Sequence, residues 1–330
     1  MKQVLVFIFA LLLTGCANAQ SVSIHKLDLT GCSLPPIRHI TDMKISGDTL
    51  LFVYETEDGF GQRFLRRAII EPKCNALDIS TDIGKIDGGY YASYMPYPFF
   101  DNARNIRVIS QDDCEFFTVE NDTALVRTKR YLMDGGSTVP FPLSQYVQDV
   151  YIKNPDRYVF IGREPNGGRQ FALTADINTA HIDTIRHITV SPELKSWMPN
   201  AGEMAYSVKY DRLAFAYKFH PIIEIFGVDG NLIKTVKVGS DTFDPKTLDE
   251  ADFDAANPVH FDDICITDDY ILALHQGAVY NQINKSTIYK IDWNGNIINK
   301  YELPLAIRRI AVYDNSIIAW DGQNFIKIDL

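Results

Sequence analysis

The chain has 330 residues, 46% of them hydrophobic and 22% charged, which is the composition of a folded protein and excludes disordered, collagenous and coiled-coil classes. Its 32 basic and 42 acidic residues give a formal net charge of −10, which argues against nucleic acid as a partner because a phosphate backbone needs a basic face. The length allows two domains of about 150 residues or one large β architecture.

The N-terminus is predicted to be an export signal. Lys2 precedes an apolar run from Val4 to Leu13, and small residues follow it. About ten apolar residues are too few to span a bilayer, and a basic start with a short apolar middle is typical of a secretory signal.

The end of this signal contains Leu13-Thr14-Gly15-Cys16, which fits the bacterial lipobox. Residues 1–15 would then be the signal peptide, Cys16 the lipidated first residue of the mature chain, and 16–21 a short tether. No acidic residue follows Cys16 closely, so we expect an envelope lipoprotein on the periplasmic side. The alternative is a soluble secreted protein cleaved after Ala19, since Ala17-Asn18-Ala19 also satisfies the small-residue rule.

From residue 22 onward the pattern predicts repeating β-strands. Short β-branched and aromatic runs recur, whereas no apolar segment keeps a helical period beyond two turns. Ile40–Ile45, Val147–Ile152 and Phe261–Ile266 begin units in the same register. Two similar hairpins, Val228–Lys234 and Trp293–Asn299, contain Asp-Gly and Asn-Gly, which supply the positive φ of tight turns.

The repeats predict six four-stranded blades, near residues 39–84, 95–132, 147–188, 203–239, 261–303 and 307–330. The last unit is one strand short, and Ser23–Leu29 offers the missing strand. We therefore expect residues 22–330 to form a single all-β, six-bladed β-propeller whose N-terminal strand closes the last blade. A pair of β-sandwiches is the alternative, but it does not explain the matching ends.

These features resemble the TolB-like six-bladed propellers of exported bacterial proteins. The resemblance rests on the lipobox, the six repeats and the Asp-Gly-Asn-Leu-Ile-Lys hairpin at 229–234. It implies the fold and the compartment, and it supplies no catalytic residues to carry over.

Loop lengths predict one working face. The connections at 46–48, 154–156, 230–231 and 295–296 are tight, whereas those at 85–94, 133–146, 189–202, 240–260 and 276–284 are long. We call the end with the long connections the loop-rich face, and binding residues usually lie on such loops. The densest aromatic stretch, Gly88–Phe100, belongs there, although some of its rings could instead pack between blades.

We therefore expect a non-catalytic propeller that binds a protein, peptide or glycan of the cell envelope at this face. We expect a monomer that meets the membrane only through its lipid. The candidate binding residues are Tyr90, Tyr91, Tyr94, Tyr97, Trp197, His220, Gln276 and Tyr280.

An alternative function comes from three aspartates at equivalent positions near the starts of innermost strands. Asp42, Asp149 and Asp263 could converge in the central channel and hold a divalent cation such as Ca²⁺, as in propellers that hydrolyse lactones or esters. They could equally hydrogen-bond a neighbouring strand, and Arg309, at the matching place in the last blade, could pair with one of them. The common hydrolase and nucleotide-binding motifs are absent from the sequence, so the first expectation includes no cofactor, no metal and no catalytic residue.

Four cysteines besides Cys16 leave the redox state open. Cys32, Cys74, Cys114 and Cys265 could oxidise in an exported chain, but an even count does not fix the pairing. Cys32 and Cys114 are both assigned to the loop-rich face and could meet, whereas Cys265 is expected to be buried in an inner strand.

Overall fold

The computed structural model describes most of the second half of the chain and the strands of the first half. The described residues are 22–31, 33–57, 63–71, 75–86, 97–100, 106–109, 115–120, 124–130, 133–134, 137–138, 146–154, 157–164, 168–176, 179, 181–190, 193, 196–239 and 256–330. Cys32, Cys74, Cys114, Tyr90, Tyr91 and Tyr94 lie outside them, so the predictions for these residues are not addressed by the structure.

The described elements are β-strands together with two short 3-10 helices, Met198–Asn200 and Tyr280–Gln282. The strands are β1 (Ser23–Lys26), β2 (Asp28–Gly31), β3 (Ile37–Ser46), β4 (Thr49–Thr56), β5 (Arg63–Glu71), β6 (Ala76–Ile86), β7 (Tyr97–Phe100), β8 (Ile106–Ile109), β9 (Glu115–Glu120), β10 (Ala124–Arg130), β11 (Met133–Asp134), β12 (Ser137–Thr138), β13 (Tyr146–Asn154), β14 (Arg157–Arg163), β15 (Gln170–Asp176), β16 (Ile182–Ile188), β17 (Gly202–Ser207), β18 (Arg212–Tyr217), β19 (Ile222–Gly227), β20 (Leu232–Lys237), β21 (Pro258–Ile266), β22 (Tyr270–Val279), β23 (Ser286–Asp292), β24 (Ile297–Leu303), β25 (Arg309–Tyr313), β26 (Ser316–Trp320) and β27 (Phe325–Asp329).

The strands assemble into consecutive antiparallel sheets, numbered here in chain order. Sheet 1 contains β3 to β6 with β2 added at its edge, sheet 2 β7 to β10, sheet 3 β13 to β16, sheet 4 β17 to β20, sheet 5 β21 to β24, and sheet 6 β25 to β27 with β1. β11 and β12 form a separate two-stranded sheet. The innermost strands of sheets 1 to 6 contact one another in the cyclic order β3, β7, β13, β17, β21, β25 and back to β3. This arrangement of sheets around an axis confirms the prediction of an all-β propeller.

The uniform four-stranded repeat expected from the sequence is found in only five of these sheets, because sheet 1 has a fifth strand, β2. The expected strand over Ser23–Leu29 is divided in two. β1 pairs with β27 of sheet 6, as predicted, but β2 runs parallel to β6 of sheet 1. Leu27 lies between them with 2% of its surface exposed, and its N–H donates to the Phe325 carbonyl at 3.0 Å. The next N–H, of Asp28, donates to the Asn75 carbonyl, also at 3.0 Å, so the chain crosses from one sheet to the next at this buried leucine.

The core lies between adjacent sheets. Central strands such as β18 and β26 are buried along nearly their whole length, because both faces pack against neighbouring sheets. Phe52 of sheet 1 packs against Phe325 of sheet 6, with ring centroids 5.1 Å apart in an edge-on arrangement. The outer strand β20, by contrast, leaves five of its six residues exposed, so the propeller presents its fourth strands to solvent.

The alternation of strand direction gives the ring two different ends. First-to-second and third-to-fourth strand connections lie at one end, which we call the turn face, and the other connections lie on the loop-rich face. Across the described residues, no helix is long and apolar enough to cross a membrane.

Candidate binding face and channel

The innermost strands share an irregularity where the three predicted aspartates lie. In β3 the pairing jumps between Ile40 and Asp42, and in β21 it jumps on both sides of Phe261, up to Asp263. In β13 the jump spans Gln148 to Tyr151, and Asp149 between them has a φ of 51°. A bulge of this kind turns a side chain away from its regular direction, and Asp is among the residues that adopt positive φ most easily.

Two of the three aspartates, Asp149 and Asp263, bond the next sheet from these bulges. A carboxylate oxygen of Asp149 accepts the Met204 N–H of sheet 4 at 2.7 Å, and one of Asp263 accepts the Ile310 N–H of sheet 6 at 2.8 Å. The two N–H groups that are accepted, those of Met204 and Ile310, therefore occupy the same position in sheets 4 and 6. The residues directly before them, Glu203 and Arg309, hold the place in their strands that the aspartates hold in theirs. We call Asp42, Asp149, Glu203, Asp263 and Arg309 the charge ring.

Arg309 connects three sheets within this ring. Its Nε donates to the Thr41 carbonyl of sheet 1 at 3.0 Å, and its Nη1 donates to the Asp262 carbonyl of sheet 5 at 2.7 Å. The sequence-based suggestion that Arg309 pairs with one of the aspartates agrees with its electrostatic attraction to Asp263. Lys44 supplies a second cation, with its Nζ 3.1 Å from an Asp42 oxygen.

Asp149 is buried and the other members of the charge ring are partly buried, and this changes the acidity of these groups. Burial raises the pKa of Asp149 to about 6 and that of Asp263 to about 7, although Lys44 and Arg309 respectively oppose the shift. Burial, together with the nearby Asp149, raises the pKa of Glu203 well above its usual range, and the two carboxyl groups hydrogen-bond to each other. Burial alone lowers the pKa of Lys44, but the surrounding acids outweigh it and leave that pKa well above normal.

These contacts favour the structural interpretation of Asp149 and Asp263 over the metal interpretation. Asp149 and Asp263 already accept backbone N–H groups, and Lys44 and Arg309 provide the positive charge that a bound cation would supply. Within the part of the chain that the structure describes, no group of three His, Cys, Asp or Glu side chains is arranged to hold a metal ion. Cys265, two residues beyond Asp263, is half-buried, and burial raises the pKa of its thiol.

On the loop-rich face, Gln276 and Tyr280 lie near each other in the chain but have different environments. Gln276 was expected in a loop, but β22 extends through it, and its side chain is 7% exposed. Its Nε2 donates to the Ile307 carbonyl at 2.6 Å and to an Asp262 oxygen at 3.2 Å, which fixes sheet 5 against sheet 6. Tyr280 is 49% exposed, and the Arg308 guanidinium lies over its ring at 4.4 Å.

A second guanidinium–aromatic stack lies on the same face. Arg163, the last residue of β14, places its guanidinium 3.7 Å from the ring centre of Trp197, in the loop before β17. Arg163 also donates to Gln148 and, at 3.2 Å, to Gln170. The Gln170 side-chain amide donates a hydrogen bond to the Asn200 carbonyl at 3.0 Å, so the loop that holds Trp197 is attached to sheet 3.

His220 was expected at the mouth, but only 9% of it is exposed. Burial lowers its pKa to about 4, and that of His275 likewise to about 4, so both imidazoles are neutral at physiological pH. His275 meets His260 with facing ring nitrogens 3.3 Å apart. The His220 ring packs edge-on against that of Tyr217, with ring centroids 6.0 Å apart, so it contributes to packing within sheet 4.

Comparison with solved structures agrees with the fold. A member of the DUF4221 family from Bacteroides vulgatus has a TM-score of 0.53 at 10% identity, covering 95% of this chain and 97% of that one. A protein of unknown function from Bacteroides thetaiotaomicron has 0.54 at 11%, covering 94% and 76%. A luciferin-regenerating enzyme has 0.52 at 8%, covering 94% and 96%.

At these identities the likeness extends to the propeller architecture alone. No family model matches the chain. No curated protein matches it either.

Proposed function

We propose that this chain is an exported lipoprotein of the TolB-like kind, with one blade for each of the six sheets. We propose further that it binds a protein, peptide or glycan of the cell envelope on its loop-rich face without catalysing a reaction. The cyclic contacts of the innermost strands support the blade assignment. The lipobox at 13–16 supports attachment through Cys16.

The observation that carries the binding proposal is the pair of guanidinium–aromatic stacks on the loop-rich face. Tyr280 is half-exposed and Arg308 lies against its ring, so the two present an apolar surface with polar edges. Tyr and Arg are enriched among residues that dominate binding energy, because they offer large rigid area together with directed hydrogen bonds. Arg163 and Trp197 repeat this chemistry at a second place on the face.

The rigidity beneath these stacks also favours binding. The Gln276 amide and the Ser286 hydroxyl, 2.7 Å apart, hold the strand that leads to Tyr280. Ser286 in turn accepts the Ile307 N–H at 2.8 Å, immediately before Arg308. A site held in place before its ligand arrives loses less conformational entropy on binding.

The test is site-specific photocrosslinking in intact envelopes. A benzophenone side chain at position 280 should capture a partner or a glycan, whereas the same group at position 298, on the turn face and also 49% exposed in the native residue, should not capture that species. The variants Arg308→Ala and Trp197→Ala should reduce the capture at 280. Equal capture at 280 and 298 would contradict the proposal.

The anchor is tested separately. The variant Cys16→Ser should move the protein from the membrane fraction to the soluble fraction, because a lipid attached to this cysteine is the proposed attachment. An unchanged membrane fraction would refute the lipobox assignment and leave the binding proposal intact.

A further inference from the structure

Large apolar side chains are exposed mainly at one end of the ring. Among the described residues, eight such side chains are exposed, and six of them belong to the turn face of sheets 4 and 5. The six are Val208 (65% exposed), Tyr210 (39%), Leu232 (46%), Ile233 (38%), Ile297 (38%) and Ile298 (49%). Scattered single apolar residues need no explanation, but a group at one end of two neighbouring sheets does.

Four of these residues occupy equivalent places in the two sheets. Leu232 and Ile233 begin the outer strand β20, and Ile297 and Ile298 begin the outer strand β24, each directly after its tight hairpin. Val208 and Tyr210 come from the turn between β17 and β18. We call the six residues the apolar rim.

Contacts between the turns make the rim continuous from sheet 4 to sheet 5. The Tyr210 ring lies 6.2 Å from that of Trp293, and Arg212 donates to the Trp293 carbonyl at 2.6 Å. The β23–β24 hairpin lies against Lys234, since a Cβ on Gly295 would come within 2.4 Å of that side chain.

The N-terminus of the propeller enters on the same face. β1 begins at Ser23, which pairs with Asp329 at the turn-face end of sheet 6, next to sheet 5 in the ring. Five residues, 17–21, separate Cys16 from Val22, and a chain of that length spans at most about 20 Å. A lipid on Cys16 would therefore keep the turn face of sheet 6 close to the bilayer.

We propose that the apolar rim lies against the membrane surface, so that the loop-rich face points away from the bilayer. This inference rests on the lipid anchor proposed at Cys16 and adds an orientation to it. The bilayer is the occupant that the short tether favours, because the tether brings the turn face to lipid before any other partner. Tyr and aliphatic side chains with lysines beside them suit an interface that is apolar on one side and wet on the other.

The charges around the rim favour zwitterionic lipid. Asp211 pairs with Lys153 at 2.7 Å, and Asp269 pairs with Lys209 at 2.5 Å. Asp229 and Asp292 accept hydrogen bonds from Asn231 and Asn296 within their own hairpins. The aspartates of these turns thus already have partners within the protein. A contact with zwitterionic lipid needs no strongly basic patch on the protein, because such lipid carries no net charge to attract.

The experiment uses the lipidated protein on vesicles of phosphatidylethanolamine and phosphatidylcholine that contain brominated acyl chains, which quench tryptophan on contact. The variant Ile298→Trp places the reporter on the rim, and Tyr280→Trp is the matched control, because both native residues are 49% exposed and lie on opposite faces. The three native tryptophans give the same background in each variant and are subtracted with the unsubstituted protein.

We expect the added emission at 298 to be quenched and shifted to shorter wavelength, and that at 280 to be unaffected. Flotation with the vesicles but no quenching at 298, or equal quenching at both positions, overturns the rim proposal and leaves the anchor standing. If the unsubstituted protein does not float, the anchor fails and this orientation with it. Leu232→Trp repeats the measurement on sheet 4 if circular dichroism shows that the 298 variant is unfolded.

A second copy of the chain is the remaining occupant to be tested. If the protein in detergent is a dimer that Ile298→Glu converts to monomers, and emission at 298 is not quenched on vesicles, the rim is a self-association surface and the membrane proposal is wrong. A monomer whose Ile298→Glu variant loses the blue shift of a reporter at 232 supports the membrane contact.

Discussion

The variant Arg309→Met is expected to destabilise the propeller more than the loss of a surface cation would. The guanidinium donates to the carbonyls of Thr41 at 3.0 Å, Asp262 at 2.7 Å and Arg308 at 3.1 Å, and it lies among the acids of the charge ring. Methionine has a similar length but offers neither the charge nor the donors. Removing one partner of a buried ion pair costs about 3–5 kcal/mol because the opposite charge stays behind, and the partial exposure of Arg309 places the expected loss at the lower end of that range.

The assay is urea unfolding at pH 8, followed by circular dichroism and tryptophan fluorescence, with the slope against urea compared between variants. Arg212→Met is the matched control, since Arg212 also joins two sheets, through the Trp293 carbonyl at 2.6 Å, but lies at the surface away from the charge ring. We expect it to cost about 1 kcal/mol, because water can replace its contacts.

The pH dependence of the destabilisation by Arg309→Met tests whether charge is its cause. At pH 5 Asp263, with a pKa of about 7, and Asp149, with a pKa of about 6, are protonated in the folded state, so Arg309 has less negative charge to balance. The destabilisation by Arg309→Met should therefore be smaller at pH 5 than at pH 8. A loss below about 1 kcal/mol at pH 8, or a larger loss at pH 5, would refute this account.

Three further predictions concern the charge ring, two turn glycines and the buried leucine between sheets 6 and 1. The pKa of Asp263 is raised in the folded state, so its contribution to the free energy of unfolding is present below about pH 4 and is lost as the pH rises through about 7. The free energy of unfolding should therefore decline between those pH values, and Asp263→Asn should flatten that decline. We expect an effect on the order of 2 kcal/mol, once the contact of Asp263 with water is allowed for, in unfolding measured across pH. Gly230→Ala should lower the melting temperature more than Gly322→Ala. Both glycines have positive φ, but a Cβ at 230 would lie 2.2 Å from the Ile185 carbonyl oxygen, whereas one at 322 meets nothing within 4 Å. Equal shifts in melting temperature would show that backbone strain alone causes the loss. Leu27→Ala should cost about 2–5 kcal/mol by urea unfolding, and a negligible change would show that the crossing between sheets 6 and 1 is not anchored there.

Much of the architecture could be predicted from the sequence, because β-strand alternation and tight-turn residues are local signals. The unit starting near 147 and the hairpin at 229–234 follow from neighbouring residues alone, and the structure has strands there. The division of the N-terminal strand at Leu27 could not be predicted, since it depends on where sheets 6 and 1 meet. Nothing within Ser23–Leu29 itself marks a change of partner.

The site was less predictable than the fold, because its geometry depends on contacts between sheets and not on neighbouring residues. The aspartates at 42, 149 and 263 were found because they repeat in register, and Glu203 could have been found by extending that register to the fourth unit. The partners of these side chains depend on contacts between sheets that are distant in sequence. Loop position proved a poor guide to exposure: Gln276 and His220 are buried, whereas Tyr280 is half-exposed.

The pairing of β1 with β27 has a consequence for the order in which the molecule forms. The residues that pair, from Ser23 with Asp329 to Lys26 with Ile326, lie 300 to 306 positions apart in the sequence, and contacts of such separation form slowly. β1 therefore cannot pair until β27 has been made. Until then the facing edges of β1 and β27 are unpaired and open to wrong partners. The closure of sheet 6 by β1 therefore removes two exposed strand edges in a single step.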